Sequence, residues 1–255
     1  MASEPMRPAD TCAIVAAGGL GLRFGDPLGK QYVEVCGLPV LDWSIAAFDE
    51  APSVAHVVVV CPEGREVETR AAVRRLAPSV PVTYATGGAT RQESCLAGLR
   101  AVPDSLAFVA IHDGARPLID VATIEAVIGR VRSDASLAGA ICAHPSVDTL
   151  KVVEDGIVRT TPDRSRYWAV QTPQVFRTEV ARAAHEAALA EGFVGTDDSS
   201  LVERAGGKVA CVESPNDNIK VTVPEDKGPV EAILTERLAE RGGAVRARRA
   251  QGGRR

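Results

Sequence analysis

Between Ala16 and Lys30 the chain reads Ala16-Ala17-Gly18-Gly19-Leu20-Gly21-Leu22-Arg23-Phe24-Gly25, with Lys30 shortly after. Glycines so closely spaced let a backbone turn tightly and present its N–H groups to phosphate oxygens. Arg23 and Lys30 would add charge-assisted donors for a polyphosphate. The spacing fits neither of two common phosphate loops. Gly19, Gly21 and Gly25 give G-x-G-x-x-x-G, one residue longer than the dinucleotide fingerprint. Gly25, Gly29 and Lys30 fall one residue short of a Walker A loop, and Gln31 lacks the hydroxyl that loop requires. A plain structural turn is the alternative on this segment alone.

Two further segments carry similar chemistry. Ile111-His112-Asp113-Gly114-Ala115-Arg116-Pro117 follows an apolar run. A carboxylate there can hold a metal or sugar hydroxyls, and Arg116 can grip a phosphate; a local Asp113–Arg116 salt bridge is the plainer alternative. Asn216-Asp217-Asn218-Ile219-Lys220-Val221-Thr222 places Lys220 late in the chain. Only five lysines stand beside 24 arginines, so Lys30 and Lys220 in candidate phosphate loops are informative. A compact ammonium can approach a reacting phosphorus where a planar guanidinium does not fit.

The elements that must position these residues follow from periodicity. Strands are expected at Thr11–Ala16, Val54–Cys61, Val80–Thr86, Leu106–His112 and Ala138–His144. Helices are expected at Pro39–Glu50, Glu63–Leu76, Gln92–Ala101 and Val121–Ser133. This βαβα rhythm predicts an α/β fold with a doubly wound, mostly parallel, Rossmann-like sheet that takes ligands at the strands' C-terminal edge. Between Pro145 and Pro173 the rhythm breaks. Thr149–Glu154 and Ile157–Thr161 alternate around Asp155-Gly156, a strong hairpin signal, which predicts an arm on a second subunit or a flap over the site. Regular structure resumes with Thr178–Glu191, Asp197–Ala205, Lys208–Glu213 and a last helix at Pro224–Arg241. Residues 1–10 are expected to be flexible, 11–240 to form one domain with a protruding arm at 145–173, and 241–255 to be a disordered basic tail.

Composition narrows the function classes. The net charge of −4 is a poor match to a nucleic-acid binder. It also conceals an asymmetry, because residues 241–255 hold six arginines and no acid, leaving 23 basic and 33 acidic side chains in residues 1–240. No apolar run approaches the roughly 18–20 residues that span a bilayer, and Met1–Asp10 does not resemble a signal peptide, so a cytoplasmic location is expected. The six cysteines include no C-x-x-C pair and the four histidines are scattered, which favours buried thiols over a zinc site or disulfides. Aromatic content of 4% argues against a base-stacking platform.

Read in order, A-A-G-G-x-G-x-R, G-K-Q-Y, G-G-A-T-R-Q-E-S, H-D-G-A-R-P, D-T, D-R, Q-T-P-Q, T-D-D-S-S and N-I-K-V-T run from Ala16 to Thr222. The chain resembles the 2-C-methyl-D-erythritol 4-phosphate cytidylyltransferase family of the non-mevalonate isoprenoid pathway, over residues 11–240. The resemblance implies nucleotidyl transfer: the substrate phosphate attacks the α-phosphorus of CTP in line and releases pyrophosphate, with Mg²⁺ bridging phosphate oxygens and no protein nucleophile. It assigns Ala16, Ala17, Gly18, Gly19 and Gly21 to the triphosphate, and Arg23 and Lys30 to charge neutralisation. Lys220 would hold the α-phosphate, and Gly87, Gly88 and Ser94 would contact cytosine and ribose. Asp113 would bind metal or substrate hydroxyls, and Arg116 the methylerythritol phosphate. Thr149 and Arg164 would lie in an arm reaching the partner of a homodimer, with Arg164 holding the attacking phosphate there; Thr172 and Thr196 would complete the substrate pocket. For both threonines a turn or a helix cap is an equally good local reading. The chain departs from the family pattern at the extra loop glycine, at Gly29 before the lysine and at Ala89 after the paired glycines. The first two lean toward a sister group, the pentitol (ribitol) 5-phosphate cytidylyltransferases; H-D-G-A-R-P and T-D-D-S-S-L lean back.

Overall fold

Short β-branched runs alternate with amphipathic segments, and the chain folds accordingly into strands β1 (Thr11–Ala16), β2 (Glu34–Val35), β3 (Leu38–Pro39), β4 (Val54–Cys61), β5 (Val82–Thr86), β6 (Phe108–Asp113), β7 (Gly139–Pro145), β8 (Val152–Glu154), β9 (Ile157–Thr160), β10 (Trp168–Arg177) and β11 (Val209–Glu213). Between them lie helices α1 (Val40–Asp49), α2 (Glu66–Leu76), α3 (Arg91–Arg100), α4 (Val121–Arg132), α5 (Thr178–Glu191), α6 (Asp198–Arg204) and α7 (Lys227–Gly252). The structure, a computed structural model, describes residues 9–19, 24 and 29–252, with 241–252 described by backbone alone.

Seven strands form one sheet in the order β11-β7-β10-β6-β1-β4-β5. All run parallel except β10, which lies antiparallel between β6 and β7. The sheet is coated on both faces, as a largely parallel sheet must be. Ala13, Val15, Val57 and Val59 meet α1 and α4 through Leu41, Ile45, Phe48, Ile124 and Ile128 on one side. Cys12, Ile14, Val58 and Val60 meet α3, α5 and α6 through Cys95, Leu99, Ala184 and Leu201 on the other. A third cluster packs Val230 and Leu234 of α7 against Val35, Val40, Leu118 and Val221, which docks the segment carrying Lys220 onto the domain.

The doubly wound expectation holds, and most strand and helix bounds lie within three residues of their sequence assignments. β10 is the substantial miss. Its Trp168–Val170 pair with Pro145–Ala143 of β7, and Gln174–Arg177 pair with Ile111–Phe108 of β6, so the expected arm of 145–173 ends inside the central sheet. Pro173 argues against a central strand because it cannot donate to the ladder. The chain accommodates it where the β7 register shifts between Val170 and Gln174. The hairpin itself is present as β8 and β9, paired only with each other. The last helix reaches Gly252, so its backbone enters the segment expected to be a disordered tail. Among the described residues no helix is long and apolar enough to cross a membrane.

Candidate active site

Strand order decides where a ligand can sit. From β1 the chain moves to β4 and β5 on one side and returns to β6 on the other, so the loops after β1 and β6 diverge at the switch point of the sheet. A cleft of about 1030 Å³ opens there. Its walls are Ala16–Gly19 after β1, Pro62–Gly64 after β4, Gly87–Arg91 and Ser94 after β5, and Asp113 and Ala115 after β6, with Lys30, Gln31, Lys220 and Thr222 closing it.

The glycines earn their place by close approach. A Cβ on Gly18 would lie 3.3 Å from the Gly87 Cα and 2.9 Å from Ser94 Oγ; one on Gly87 would lie 3.1 Å from the Gly18 Cα. The two loops therefore touch backbone to backbone. Ser94 Oγ accepts from Gly88 N–H at 3.1 Å and donates to the Thr90 carbonyl at 2.9 Å, while a Thr90–Glu93 capping box starts α3. From the other side the buried Gln31 amide donates to the carbonyls of Ala17 and Gly19, each at 3.1 Å. Gln31, which cannot serve as a Walker hydroxyl, instead shapes the first loop.

The floor is a charge cluster centred on Asp113. Lys220 Nζ lies 2.7 Å from Asp113 Oδ2, Arg91 Nε 3.1 Å from Oδ1, and Arg116 Nε 3.5 Å from Oδ2. Burial alone would raise the Asp113 pKa; the cations Arg91, Lys220 and Arg116 overcome it and hold the carboxyl well below the usual carboxylate range. Arg91 also places Nη2 2.7 Å from Asp198 Oδ2. Desolvation works against its charge, but Asp198 and Asp113 keep the guanidinium protonated above its ordinary range.

A ring of hydrogen bonds fixes the segments that carry these groups. Thr172 Oγ accepts from Asp113 N–H at 3.0 Å and lies 3.1 Å from His112 Nδ1. His112 Nε2 is 3.2 Å from the Arg116 carbonyl, which can only accept, so Nε2 carries the proton and Nδ1 takes the Thr172 hydroxyl. Arg116 Nη1 donates to the Asn218 carbonyl at 2.7 Å, and Asn218 Nδ2 returns to the Thr172 carbonyl at 2.9 Å. Burial pushes the His112 pKa down to about 4, against the pull of Asp113, which suits the neutral tautomer.

Of the residues singled out in the sequence, Ala16, Ala17, Gly18, Gly19, Lys30, Gly87, Gly88, Ser94, Asp113 and Lys220 meet in this cleft. Arg116 and Thr172 stand beside it, both tied to Asp113. Thr149, Arg164 and Thr196 are exposed and do not line it; Arg164 Nη1 donates to the Val147 carbonyl at 2.7 Å within the arm. Arg23 and Gly21 lie outside the described residues. Sequence reasoning missed Arg91, the buried Asp198 and His185 behind it, and the supporting roles of Gln31 and Asn218. Arg91 lies within the G-G-A-T-R-Q-E-S motif, which was the available signal.

For a divalent cation, Asp113 offers a single carboxylate whose oxygens are already paired with cations. Among the described residues no group of three His, Cys, Asp or Glu side chains could hold a metal. These residues fit an ion that arrives with a polyphosphate and takes most of its oxygens from it, the usual habit of Mg²⁺.

Fold and floor together fit the class of α/β nucleotidyltransferases: glycine-loop backbone, Lys30, Arg91 and Lys220 meet at the switch point of the sheet, with no histidine or cysteine among the described lining residues. Comparison with known proteins narrows this. The family model for 2-C-methyl-D-erythritol 4-phosphate cytidylyltransferase matches residues 11–236. The enzyme of that name from Geobacter metallireducens is 42% identical over 231 residues, 89% of this chain and 98% of its own. That from Geotalea uraniireducens is 43% identical over 232 residues, 90% and 98% of the two chains. The crystal structure of the Thermus thermophilus enzyme superposes with a TM-score of 0.71 at 32% identity, covering 88% of this chain and 98% of that one. The chain belongs to the 2-C-methyl-D-erythritol 4-phosphate cytidylyltransferase family.

Proposed function

We propose that the protein joins CTP to 2-C-methyl-D-erythritol 4-phosphate, giving 4-diphosphocytidyl-2-C-methyl-D-erythritol and pyrophosphate for isoprenoid precursor synthesis. The carrying observation is the convergence of Ala16–Gly19, Lys30, Gly87, Gly88, Asp113 and Lys220 on one cleft in a chain of this family. An oxygen of the substrate phosphate bonds to the α-phosphorus while the bond to the bridging oxygen of pyrophosphate breaks, and the electron pair leaves with pyrophosphate. The attacking oxygen is already ionised, so the protein contributes position and positive charge.

In this reading the backbone of Ala16–Gly19 cradles the triphosphate, and Lys30, with Arg23, neutralises charge as pyrophosphate departs. Lys220, held by Asp113, faces the α-phosphate. Gly87 and Gly88 present backbone groups to the base and ribose, in a loop shaped by Ser94. Arg116 receives the substrate phosphate. Thr172 contributes by setting Asp113 rather than by lining the pocket. A divalent cation, Mg²⁺ by chemistry, would be held by the triphosphate with Asp113 as its protein ligand, and supplies charge neutralisation.

A homodimer is supported by the exposed apolar residues of the arm, Val152, Val153, Ile157 and Val158, with Tyr167, Trp168 and Val170 beside it. Such a dimer would let Arg164 and Thr149 serve the neighbouring site, Arg164 by holding the attacking phosphate; Thr196 would close the substrate pocket. The pentitol 5-phosphate alternative is not favoured, since the family model and the relatives named above carry methylerythritol in their names. A cytoplasmic location agrees with the nucleotide substrate. Purified protein incubated with CTP, Mg²⁺ and methylerythritol phosphate should yield the CDP-linked product; its absence, with product formed from ribitol 5-phosphate, would reassign the substrate.

A further inference from the structure

One side chain connects the cleft to a buried carboxylate and histidine that the transfer chemistry does not use. Arg91 opens α3 and lines the cleft, with Nε 3.1 Å from Asp113 Oδ1. Its Nη2 reaches backward, 2.7 Å from Asp198 Oδ2. Asp198 is 2% exposed and has a second neighbour, His185 Nε2, 3.3 Å from its Oδ1, on a ring with no exposed surface. The row Asp113–Arg91–Asp198–His185 thus runs from the cleft floor to the packed layer of α5 and α6.

Geometry gives this row a task. A carboxylate held on one oxygen can rotate about its Cβ–Cγ bond; held on both, it cannot. Asp113 has Lys220 on Oδ2 and Arg91 on Oδ1. Arg116, its third cation, stands farther away at 3.5 Å, also on Oδ2, and gives Nη1 to the Asn218 carbonyl. Arg91 is therefore what keeps Oδ1 from turning and Oδ2 on Lys220. A planar guanidinium can meet two carboxylates at fixed angles, which an ammonium cannot reproduce. Stability alone is a poor reason for such a row, because apolar replacements of buried ion pairs are often as stable.

We propose that Arg91 is a positioning residue for nucleotidyl transfer: anchored by Asp198 and His185, it fixes the Asp113 carboxylate and through it the Lys220 ammonium. The inference rests on the transferase reading above. Arg91→Lys and Asp198→Asn, singly and together, test it. Each single change should lower kcat by on the order of 10- to 100-fold, the range a misplacement of about 1 Å produces, while KM for CTP moves much less. Because both act through one row, the double variant should be no slower than Arg91→Lys alone. Wild-type kcat in Asp198→Asn would overturn the proposal, leaving Arg91 to act by direct contact. So would losses confined to Tm, or multiplicative losses in the double variant. Crystal structures of the variants decide the point without turnover: Lys220 Nζ displaced from Asp113 Oδ2 supports the proposal, and the 2.7 Å contact retained in both refutes it. A wild-type protein that releases no pyrophosphate would sink the transferase reading, and the crystal comparison would still judge the row.

Discussion

Thr172→Val removes one hydroxyl while keeping nearly the same volume, so its effect measures what that hydroxyl holds. It accepts from Asp113 N–H at 3.0 Å and donates to His112 Nδ1 at 3.1 Å, and all three residues are buried. Valine would leave a backbone donor and a ring acceptor without partners. At about 1–3 kcal/mol for each buried polar group left unmade, the loss is about 2–6 kcal/mol. For a domain of this size that lowers Tm by roughly 5–20 °C. Thr172→Ser keeps both hydrogen bonds and should cost only about 1 kcal/mol for the lost methyl. Urea unfolding and calorimetry of the three proteins give the numbers. Turnover with CTP should follow the same order, because the Asp113 backbone is what the hydroxyl secures. A valine variant within about 0.5 kcal/mol of wild type would refute the closed ring and the placement of Asp113 by Thr172.

Lys30→Ala and Lys220→Ala should each reduce pyrophosphate release by on the order of 10²-fold or more, as loss of transition-state charge stabilisation does; wild-type rates in either would remove that lysine from the site. Asp42, buried in the first turn of α1, has its carboxyl pushed up to about 6 by burial, with Arg75 pulling the other way. The folded chain therefore binds this proton more tightly than the unfolded chain. The associated stability is full below about pH 3.8 and is lost as pH rises through about 6. Asp42→Asn should accordingly stabilise by on the order of 1–3 kcal/mol near pH 8 and by little near pH 4, in urea curves at both. If the arm serves the partner, Arg164→Ala mixed with Lys220→Ala should regain about a quarter of wild-type activity, from the one intact site of each mixed dimer. No recovery after confirmed subunit exchange would place Arg164 at its own site.

What the sequence disclosed, and what it hid, follows physical lines. β1 and β4 were legible to the residue because Cys12–Val15 and Val57–Val60 are buried on both faces and carry a continuous apolar signal. β10 was hidden by Pro173, whose tolerance depends on a register shift that no local pattern announces. The glycine loop was legible as a tight turn at the end of β1, and Ala16–Gly19 do line the cleft. The contact of Gly18 with Gly87 was not, since it joins segments almost seventy residues apart. Arg91 reads locally as a surface arginine at a helix start; only the fold sets Asp113 and Asp198 on either side of it. Thr172 was placed at the site only through the family resemblance, and its bonds to Asp113 N–H and His112 tie it to the cleft floor. Thr149, Arg164 and Thr196 were assigned through the family resemblance, and one subunit does not bring them to its own cleft.

The most direct test of the central claim is a comparison of pyrophosphate release from CTP with methylerythritol 4-phosphate and with ribitol 5-phosphate as acceptors. A kcat/KM at least about 10²-fold higher for methylerythritol phosphate is expected of a site that hydrogen-bonds its own substrate. Equal rates, or a preference for ribitol phosphate, would contradict it.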